Sequence, residues 1–409
     1  MTQINMIKGG VCAAIGFKAS GVHCGIRQNK LKKDLALISA EKNCNAAAVY
    51  TKNKVKGAPI TVTMENLKDG KAQAIICNSG NANTCAPNGI EVAEQTCALL
   101  GKELGIDAKD VIIASTGVIG EKLSLEPFKI GIPKLVKKLK SETSGSLKAA
   151  QAIMTTDRVE KECAVSFFLS NKQCHLGGIA KGSGMVNPNM ATMLCFLTTD
   201  VAISSEMLRK ALLKDIEGSF NQLYVDGDTS TNDMVSILAS GCAENEEITA
   251  EGPEFEQFCA ALATVTNQLC KKLAKDAEGA GKLIECIVSG APDLKTARSV
   301  SKSVVGSTLL KAAIFGEDAN WGRILCAIGY TDAEFDISKV DVVLSSKYGN
   351  VEVCKKATYN PFSEKIAAKV LSADEIGILI SLNQGESSAS AWGCDLTYEY
   401  VKINGEYRS

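Results

Sequence analysis

The stretch KGSGMVNPNMATML, residues 181–194, is the part of the sequence from which the fold and the function are most directly inferred. Gly182, Ser183, Gly184 and Pro188 would interrupt a helix or a strand, yet the stretch also carries three methionines, whose side chains are normally buried. This combination indicates a loop that is pressed into the interior. Because an ordinary connection lies at the surface, where water satisfies its backbone, a buried loop is typical of a functional site.

Strands and helices alternate along the chain on both sides of this loop. AQAIIC (72–77) and VIIA (111–114) predict strands, and IEVAEQTCALLGKEL (90–104) between them has apolar residues at helical spacing. CHLGGIA (174–180) and TMLCFLTTD (192–200) predict the strands that enter and leave the loop. We therefore expect an α/β fold.

The C-terminal part has shorter elements and is predicted to form a separate, smaller α+β domain. Its strands would include EIGILISL (375–382) and LTYEYVKI (396–403). We place one domain at residues 1–289 and the smaller domain at residues 290–409.

Size and charge limit the functions that the chain can have. Its 409 residues and 43.2 kDa exceed what one hydrophobic core usually supports. With 45 basic against 46 acidic residues, there is no positive excess to neutralise a nucleic-acid backbone, so the expected ligand is a small molecule. The sequence shows no signal peptide and no long apolar run, so we expect a cytoplasmic protein that does not span a membrane.

Cysteines and histidines point away from a metal site. None of the 16 cysteines forms a C-x-x-C pair, and most lie in apolar runs, which predicts buried, reduced thiols. With only His23 and His175, a Ser-His-Asp triad or a histidine-rich metal site is difficult to build, and we expect His175 to be a satisfied or exposed side chain.

Two nucleotide-binding interpretations of the loop fail. A Walker loop requires Gly-Lys followed by Ser or Thr, whereas the order here is Lys181, Gly182, Ser183. A dinucleotide fingerprint requires G-x-G-x-x-G after a strand, which is absent. What remains is a buried loop that delivers the hydroxyl of Thr192 to the start of a strand.

The loop resembles one family when it is considered with five further motifs: ASTGVIG (114–120), DGDTSTND (226–233), KDAEGAGK (275–282), GEDANWGR (316–323) and INGEYRS (403–409). Together they resemble the ArgJ family, the glutamate N-acetyltransferase / ornithine acetyltransferase of arginine biosynthesis. The resemblance implies a layered α/β/β/α sandwich of the self-processing N-terminal-nucleophile type. Members of the family cut their own chain immediately before a threonine.

Elementary chemistry explains why such a cut would be useful. A hydroxyl is a weak nucleophile at its free pKa, and this chain has few histidines to act as a base. Cleavage between Ala191 and Thr192 would give Thr192 a free α-amino group, whose unperturbed pKa of about 7.7–8.0 suits a general base. The expected mature fragments are residues 1–191 and 192–409.

The resemblance also implies a role for each matching residue. Thr192 would be the nucleophile, while the Thr116 hydroxyl and the Gly117 backbone N–H would form the oxyanion hole. Lys181 would pair with a substrate α-carboxylate and Glu278 with an ammonium group. The full set of implied substrate contacts is Thr155, Lys181, Thr192, Glu278, Asn404 and Ser409. The resemblance thus implies that the 1–289 domain is catalytic and that the tail of the smaller domain returns to its active site.

Two positions depart from the family pattern. Arg158 occupies a site near Thr155 where the family usually has threonine, and the chain ends in Ser409 where threonine is common.

The acidic loop DGDTSTND (226–233) also allows a metal interpretation, because its aspartates Asp226, Asp228 and Asp233 alternate as calcium ligands do. The Gly and Glu positions of an EF-hand are missing, however. The resemblance implies neither a metal nor a cofactor, and the alternative for this acidic loop is packing beneath the active site.

The predicted function is transfer of an acetyl group from N-acetylornithine to glutamate through an acetyl-threonine intermediate. The resemblance further implies that the two cleavage fragments stay associated and that two copies of each form a heterotetramer. A self-processed aminopeptidase or amidohydrolase that passes the acyl group to water is the alternative, and a non-catalytic binding protein would leave the chain intact. Whether acetyl-CoA also serves as donor stays open.

Overall fold

The computed structural model describes residues 3–187 and 193–406. Ala191, Thr192 and Ser409 lie outside the described residues. The strands are β1 (Asn5–Ile7), β2 (Phe17–Val22), β3 (Leu35–Tyr50), β4 (Lys71–Asn81), β5 (Val111–Val118), β6 (Lys161–Leu169), β7 (Lys172–Lys181), β8 (Leu194–Thr199), β9 (Met234–Ala239), β10 (Leu283–Ala291), β11 (Asp341–Ser346), β12 (Gly349–Lys355), β13 (Thr358–Tyr359), β14 (Glu375–Ser381) and β15 (Ser387–Cys394). The helices are α1 (Ala58–Asn66), α2 (Gly89–Leu104), α3 (Glu126–Lys137), α4 (Thr143–Ile153), α5 (Ser205–Ile216), α6 (Pro253–Lys275), α7 (Leu294–Gly306), α8 (Thr308–Phe315), α9 (Trp321–Gly329), α10 (Glu364–Leu371) and α11 (Tyr398–Glu406).

A nine-stranded sheet organises the first two thirds of the chain. Its order is β1-β6-β7-β8-β9-β3-β4-β5, and β2 pairs with β3. The pairs β8–β9 and β4–β5 are parallel, and the other pairs are antiparallel. The two strands predicted on either side of the loop are therefore neighbours in this sheet.

The two halves of this sheet face each other across one hydrophobic cluster. Ile38 and Ile75 from β3 and β4 share that cluster with Ile179 and Phe196 from β7 and β8. A second cluster joins β6–β9 to α5 and α6, and a third joins β4 and β5 to α1–α3. The resulting order of layers is helix, sheet, sheet, helix, so the predicted α/β/β/α arrangement is confirmed.

Burial on both faces explains why β8 reads as LCFLTT rather than as an alternating pattern. All six of its residues are buried, because one face meets the opposite half of the sheet and the other meets helices. Burying a large apolar side chain such as Phe196 contributes about 1.5–3 kcal/mol, whereas intrinsic strand propensity spans only about 1 kcal/mol. Packing therefore holds the strand that follows the loop.

The C-terminal part forms its own six-stranded sheet, in the order β13-β12-β11-β14-β10-β15. It has a separate core, in which α7 packs on β10 and β15. Because this sheet begins at Leu283, the domain boundary expected at residue 290 falls inside its first strand.

One sequence-based prediction of secondary structure is wrong. LTYEYVKI was expected to be a strand, but Tyr398–Glu406 is helix α11. β15 already closes that edge of the sheet, and the tail leaves it to pack Tyr398 edge-on against Phe315, with ring centroids 5.6 Å apart. Helix α11 has no buried residue, so its aromatic and β-branched side chains do not meet the pleated, half-buried surface that their strand preference reflects.

Candidate active site

A cavity of about 120 Å³ lies where the loop enters the core. It gathers every implied site residue that the structure describes, although they come from widely separated parts of the chain. Its lining comprises Ala82, Thr116, Gly117, Ile119, Thr155, Thr156, Lys181, Gly184, Met185, Ser230, Thr231, Asn232, Glu278 and Asn404.

The pair Thr116 and Gly117 lies near the end of β5, beside β4. Gly117 has φ +130, and a Cβ atom there would be 2.4 Å from the carbonyl carbon of Gly80. Only glycine fits this backbone, because both the conformation and the space exclude a side chain. The Thr116 hydroxyl lies on the cavity and accepts a hydrogen bond from Lys181 Nζ at 3.3 Å.

Lys181 is the last residue of β7 and is buried, with 8% of its surface exposed. Burial lowers the pKa of its ammonium group below the usual range, while the carboxylate of Asp157 opposes that change. A desolvated ammonium group is a favourable partner for a substrate carboxylate, because the ion pair replaces the water that the lysine has lost.

A buried ionic cluster fixes the segment that carries Thr155. Lys161 Nζ donates to Asp157 Oδ1 at 2.6 Å and to Asp276 Oδ2 at 2.7 Å, and Lys161 is fully buried. The Arg158 backbone N–H and Nε both donate to Asp276, at 3.0 and 3.1 Å. Arg158, which stands where the family usually has threonine, therefore ties this segment to the end of α6.

Burial alone would raise the pKa of the Asp157 carboxyl, but the ammonium groups of Lys161 and Lys181 outweigh it and hold the pKa well below the usual range. Asp157 also accepts hydrogen bonds from the Gly182 backbone N–H at 2.9 Å and from the Thr155 backbone N–H at 2.9 Å. One ionised carboxylate thus joins the Thr155 segment to the start of the loop.

Glu278 and Asn404 both line the cavity, although they come from distant parts of the chain. The backbone N–H of Glu278 donates to the carbonyl of Ser183 at 2.8 Å, and Asn404 Nδ2 donates to Glu278 Oε2 at 2.9 Å. A Cβ atom on Gly184 would be 2.3 Å from the Glu278 carboxylate, so a glycine in the loop makes room for the acid. Helix α11 brings the C-terminal segment to the site.

The described residues after the predicted cut begin at Met193, which is buried. Its carbonyl accepts a hydrogen bond from the backbone N–H of Met234 at 3.0 Å. Leu194 then pairs with Lys181 on one side and with Met234 on the other. The start of β8 is therefore held beside the cavity-lining Lys181.

Asn232 is a site residue that the sequence analysis did not identify. Its side-chain amide donates to the carbonyls of Ala82 and Ser115, at 2.6 and 3.0 Å, and its Oδ1 accepts from Thr84 Oγ1 at 2.5 Å. It joins the strand that carries Thr116 to the loop after β4. Asn232 lies in the motif DGDTSTND, which is the sequence signal from which it could have been identified.

The acidic residues of the same motif hold the loop. Asp226 accepts hydrogen bonds from the backbone N–H groups of Met185 and Val186, at 2.7 and 2.9 Å. Asp233 is buried, its Oδ2 has no hydrogen-bond partner among the described residues, and burial raises the pKa of its carboxyl well above the usual range. Within residues 3–187 and 193–406, no group of three or more His, Cys, Asp or Glu side chains could hold a metal ion.

Neither histidine lines the cavity. His175 Nδ1 lies 2.7 Å from Asp200 Oδ2, and this hydrogen bond raises the pKa of the imidazole. The expectation of a satisfied histidine is confirmed.

All 16 cysteines are free, and most are buried, as predicted. None of the described helices is long and apolar enough to span a membrane.

Comparison with known proteins identifies the family. Residues 18–409 match the ArgJ family. The chain is 48% identical over 394 residues to the arginine biosynthesis bifunctional protein ArgJ 1 of Clostridium acetobutylicum, covering 96% of both chains. It is 45% identical over 409 residues to the arginine biosynthesis bifunctional protein ArgJ of Bacillus subtilis, covering 100% of this chain and 98% of the relative.

Two solved structures are also similar. One is an arginine biosynthesis bifunctional protein argJ from Bacillus halodurans, at 46% identity and a TM-score of 0.49, covering 52% of this chain and 98% of the solved one. The other is an ornithine acetyltransferase complexed with ornithine from Mycobacterium tuberculosis, at 36% identity and a TM-score of 0.44, covering 46% of this chain and 100% of the solved one. On the evidence of the family match and the two full-length relatives, this chain belongs to the ArgJ family.

Proposed function

We propose that this chain transfers the acetyl group of N2-acetyl-L-ornithine to L-glutamate in arginine biosynthesis, as a glutamate N-acetyltransferase. The observation that carries the proposal is the single cavity in which Lys181 and Glu278 present opposite charges beside Thr116 and Gly117. Opposite charges suit the carboxylate and ammonium groups of an amino acid. Membership of a family whose relatives are named for arginine biosynthesis supports the pathway.

Maturation is the first step of the proposal. The Thr192 hydroxyl attacks the Ala191 carbonyl, and the peptide C–N bond breaks to free the Thr192 α-amino group. Water then hydrolyses the resulting ester, which releases the Ala191 carboxylate and restores the Thr192 hydroxyl. The flanking anchors support this step: Asp226 holds the loop before the bond, and the β7–β8–β9 pairing holds the strand after it.

Acetyl transfer follows in two halves. The Thr192 hydroxyl attacks the acetyl carbonyl, its proton passes through the α-amino group to the departing amine, and ornithine leaves. The amine of glutamate then attacks the acetyl-threonine and takes the acetyl group. Thr116 and Gly117 would donate to the oxyanion in both halves, which is typically worth about 3 kcal/mol per donor.

The two fragments should stay associated after cleavage. β8 and β9, which follow the cut, lie between β7 and β3, which precede it. We propose an assembly with two copies of each fragment, located in the cytoplasm, where free cysteines such as these persist.

Intact mass spectrometry with N-terminal sequencing tests the maturation step. We expect two co-purifying fragments, 1–191 and 192–409, and an uncut, inactive chain for Thr192→Ala. A wild-type chain that is active while full-length would contradict the mechanism.

Kinetics distinguish the transferase from a hydrolase. N-acetylornithine alone should release about one ornithine per site in a burst, and glutamate should then restore turnover with ping-pong kinetics. Rapid, steady release of ornithine without glutamate would instead identify an amidohydrolase.

A further inference from the structure

Helix α11 has a second contact near the site, through Tyr400. The Tyr400 hydroxyl donates a hydrogen bond to the Asp226 carboxylate. Partial burial and this carboxylate raise the pKa of the hydroxyl above its usual range, so Tyr400 keeps its proton at neutral pH. Tyr400 does not line the active-site cavity, and the proposed acetyl transfer gives it no role.

Contacts on either side of Tyr400 hold α11 in place. Thr397 Oγ1 donates to the Gly279 carbonyl at 2.6 Å, and Asn404 Nδ2 donates to Glu278 Oε2 at 2.9 Å. A Cβ atom on Gly279 would be 2.4 Å from the Tyr400 backbone nitrogen, so the helix lies directly against this glycine. These contacts fix the position from which the tyrosine reaches the carboxylate.

Asp226 accepts hydrogen bonds from the loop as well as from α11. Its Oδ2 accepts from the Met185 backbone N–H at 2.7 Å, and its Oδ1 accepts from the Val186 backbone N–H at 2.9 Å. Met185 has φ +58, in the left-handed region that a non-glycine residue rarely adopts, so the surrounding contacts must impose this conformation. The Asp226 carboxylate, which the Tyr400 hydroxyl helps to orient, supplies such a contact.

The chain is held in the same way as far as Asn187. The Asn187 backbone N–H donates to the Asp228 carbonyl at 3.0 Å, and the Asn187 carbonyl accepts from Thr229 Oγ1 at 3.0 Å. Asn187 Nδ2 also donates to the Gly227 carbonyl at 3.1 Å. The segment that begins at Asp226 therefore fixes the last described residues before the predicted cut.

These anchors lie close to the predicted cut along the chain. Four residues lie between Asn187 and Thr192. On the other side of the cut, the Met193 carbonyl accepts from the Met234 backbone N–H at 3.0 Å. Because so short a segment is held at both ends, the anchors limit the positions that the Ala191 carbonyl can take.

We propose that Tyr400 and Asp226 are positioning residues for self-cleavage, and that the chain cuts itself only after α11 has docked. The inference rests on the proposed function. A hydroxyl attacks a carbonyl efficiently only when the reacting atoms are about 3–3.5 Å apart and aligned, so loosening an anchor near the bond slows the step. In this order of events, β8 and β9 enter the sheet between β7 and β3 before the chain is divided.

The bond changes are those of the proposed maturation. The Thr192 Oγ1 bonds to the Ala191 carbonyl carbon, the peptide C–N bond breaks, and the hydroxyl proton ends on the released α-amine. Water then hydrolyses the ester, which returns the hydroxyl to Thr192 and leaves a carboxyl group on Ala191. After the cut, no covalent chain joins the anchored loop to Thr192. Tyr400 and Asp226 should therefore affect cleavage and leave the later acetyl transfer nearly unchanged.

A time course of self-cleavage during cell-free synthesis of the full chain tests the inference, with the full-length chain and fragments 1–191 and 192–409 quantified on denaturing gels. Tyr400→Phe removes one hydroxyl and should slow cleavage roughly tenfold, which corresponds to about 1.4 kcal/mol. Asp226→Asn replaces an acceptor oxygen with a donor and should slow cleavage further. Tyr398→Phe is the matched control, since Tyr398 lies on the same helix with 83% of its surface exposed, and it should cleave at the wild-type rate.

Kinetics of the matured enzyme separate positioning from a merely structural role. Fully cut Tyr400→Phe should transfer acetyl groups from N-acetylornithine to glutamate with kcat and KM within roughly twofold of the wild type. Thermal melting in the uncut Thr192→Ala background should show that Tyr400→Phe still unfolds cooperatively.

Three outcomes would overturn the inference: cleavage of Tyr400→Phe at the wild-type rate, a loss of kcat as large as the loss in cleavage rate, or an unfolded variant. A wild-type chain that never cuts itself would overturn the proposed function instead.

Discussion

Thr116 is the described side chain whose hydroxyl is expected to donate to the oxyanion. Its Oγ1 lies on the cavity and is held by Lys181 Nζ at 3.3 Å. Thr116→Ala removes one oxyanion donor, so kcat should fall about a hundredfold or more while KM changes much less. Steady-state kinetics with N-acetylornithine and glutamate measure the effect. Thr116→Ser keeps the hydroxyl and should retain most activity, and an unchanged kcat for the alanine variant would place the donor elsewhere.

Gly117 tests whether backbone geometry, rather than a side chain, supplies the second donor. Gly117→Ala introduces a Cβ 2.4 Å from the Gly80 carbonyl carbon at φ +130, so β5 must shift away from β4 and the N–H must move. Gly120 is a matched control, because it has φ +84 and no atom within 4 Å of its virtual Cβ. Gly120→Ala should cost only about 1–2 kcal/mol of left-handed strain and keep activity, whereas Gly117→Ala should lose both stability and turnover. Equal effects in denaturant titrations and kinetics would contradict this explanation.

Helix α11 is the element that connects the C-terminal part to the site. Asn404 donates to the Glu278 carboxylate at 2.9 Å, and Thr397 Oγ1 donates to the Gly279 carbonyl at 2.6 Å. Removing residues 404–409 should therefore admit water to the acetyl-enzyme and raise hydrolysis relative to transfer, or abolish both. The ratio of ornithine to N-acetylglutamate formed measures this partition. Lys402→Gln changes only an exposed pair with Glu399 and should leave the ratio as it is; an unchanged ratio in the truncated enzyme would exclude a shielding role.

Asp215 links helix α5 to helix α6, and its ionisation affects the stability of the whole molecule. It lies on α5, accepts a hydrogen bond from Thr266 Oγ1 on α6 at 3.0 Å and one from Ser219 Oγ at 2.9 Å, and burial raises its pKa to about 7. Between the unfolded pKa of about 3.9 and pH 7, the folded state binds the proton that the unfolded state has released. The free energy of unfolding should therefore fall as pH rises through this range, by up to about 4 kcal/mol from this group.

Urea titrations at pH 5 and pH 8 measure that fall. Asp215→Asn cannot ionise, so the difference in unfolding free energy between the two pH values should shrink. Asp293→Asn is the control, because that carboxyl is exposed at the start of α7 and its pKa is lowered by the Thr296 backbone N–H. A pH dependence that Asp215→Asn leaves intact would assign the effect to other groups.

The sequence by itself determined the local elements and the family. Apolar runs and helical spacing depend on near neighbours, so the strands predicted at 72–77, 111–114 and 192–200 correspond to β4, β5 and β8. The six motifs carried the resemblance because each must keep its own backbone conformation and side-chain chemistry. Gly117 shows why, since its φ of +130 admits no other residue.

Only the tertiary structure decided which of these pieces meet. Thr116, Lys181, Glu278 and Asn404 line one cavity because sheet register and helix packing bring together residues far apart in the chain, and no local pattern encodes such a contact. The same reason explains the helix at Tyr398–Glu406 and the supporting role of Asn232. Strand preference reflects how well a side chain fits a pleated, half-buried surface, and α11, which has no buried residue, meets no such surface.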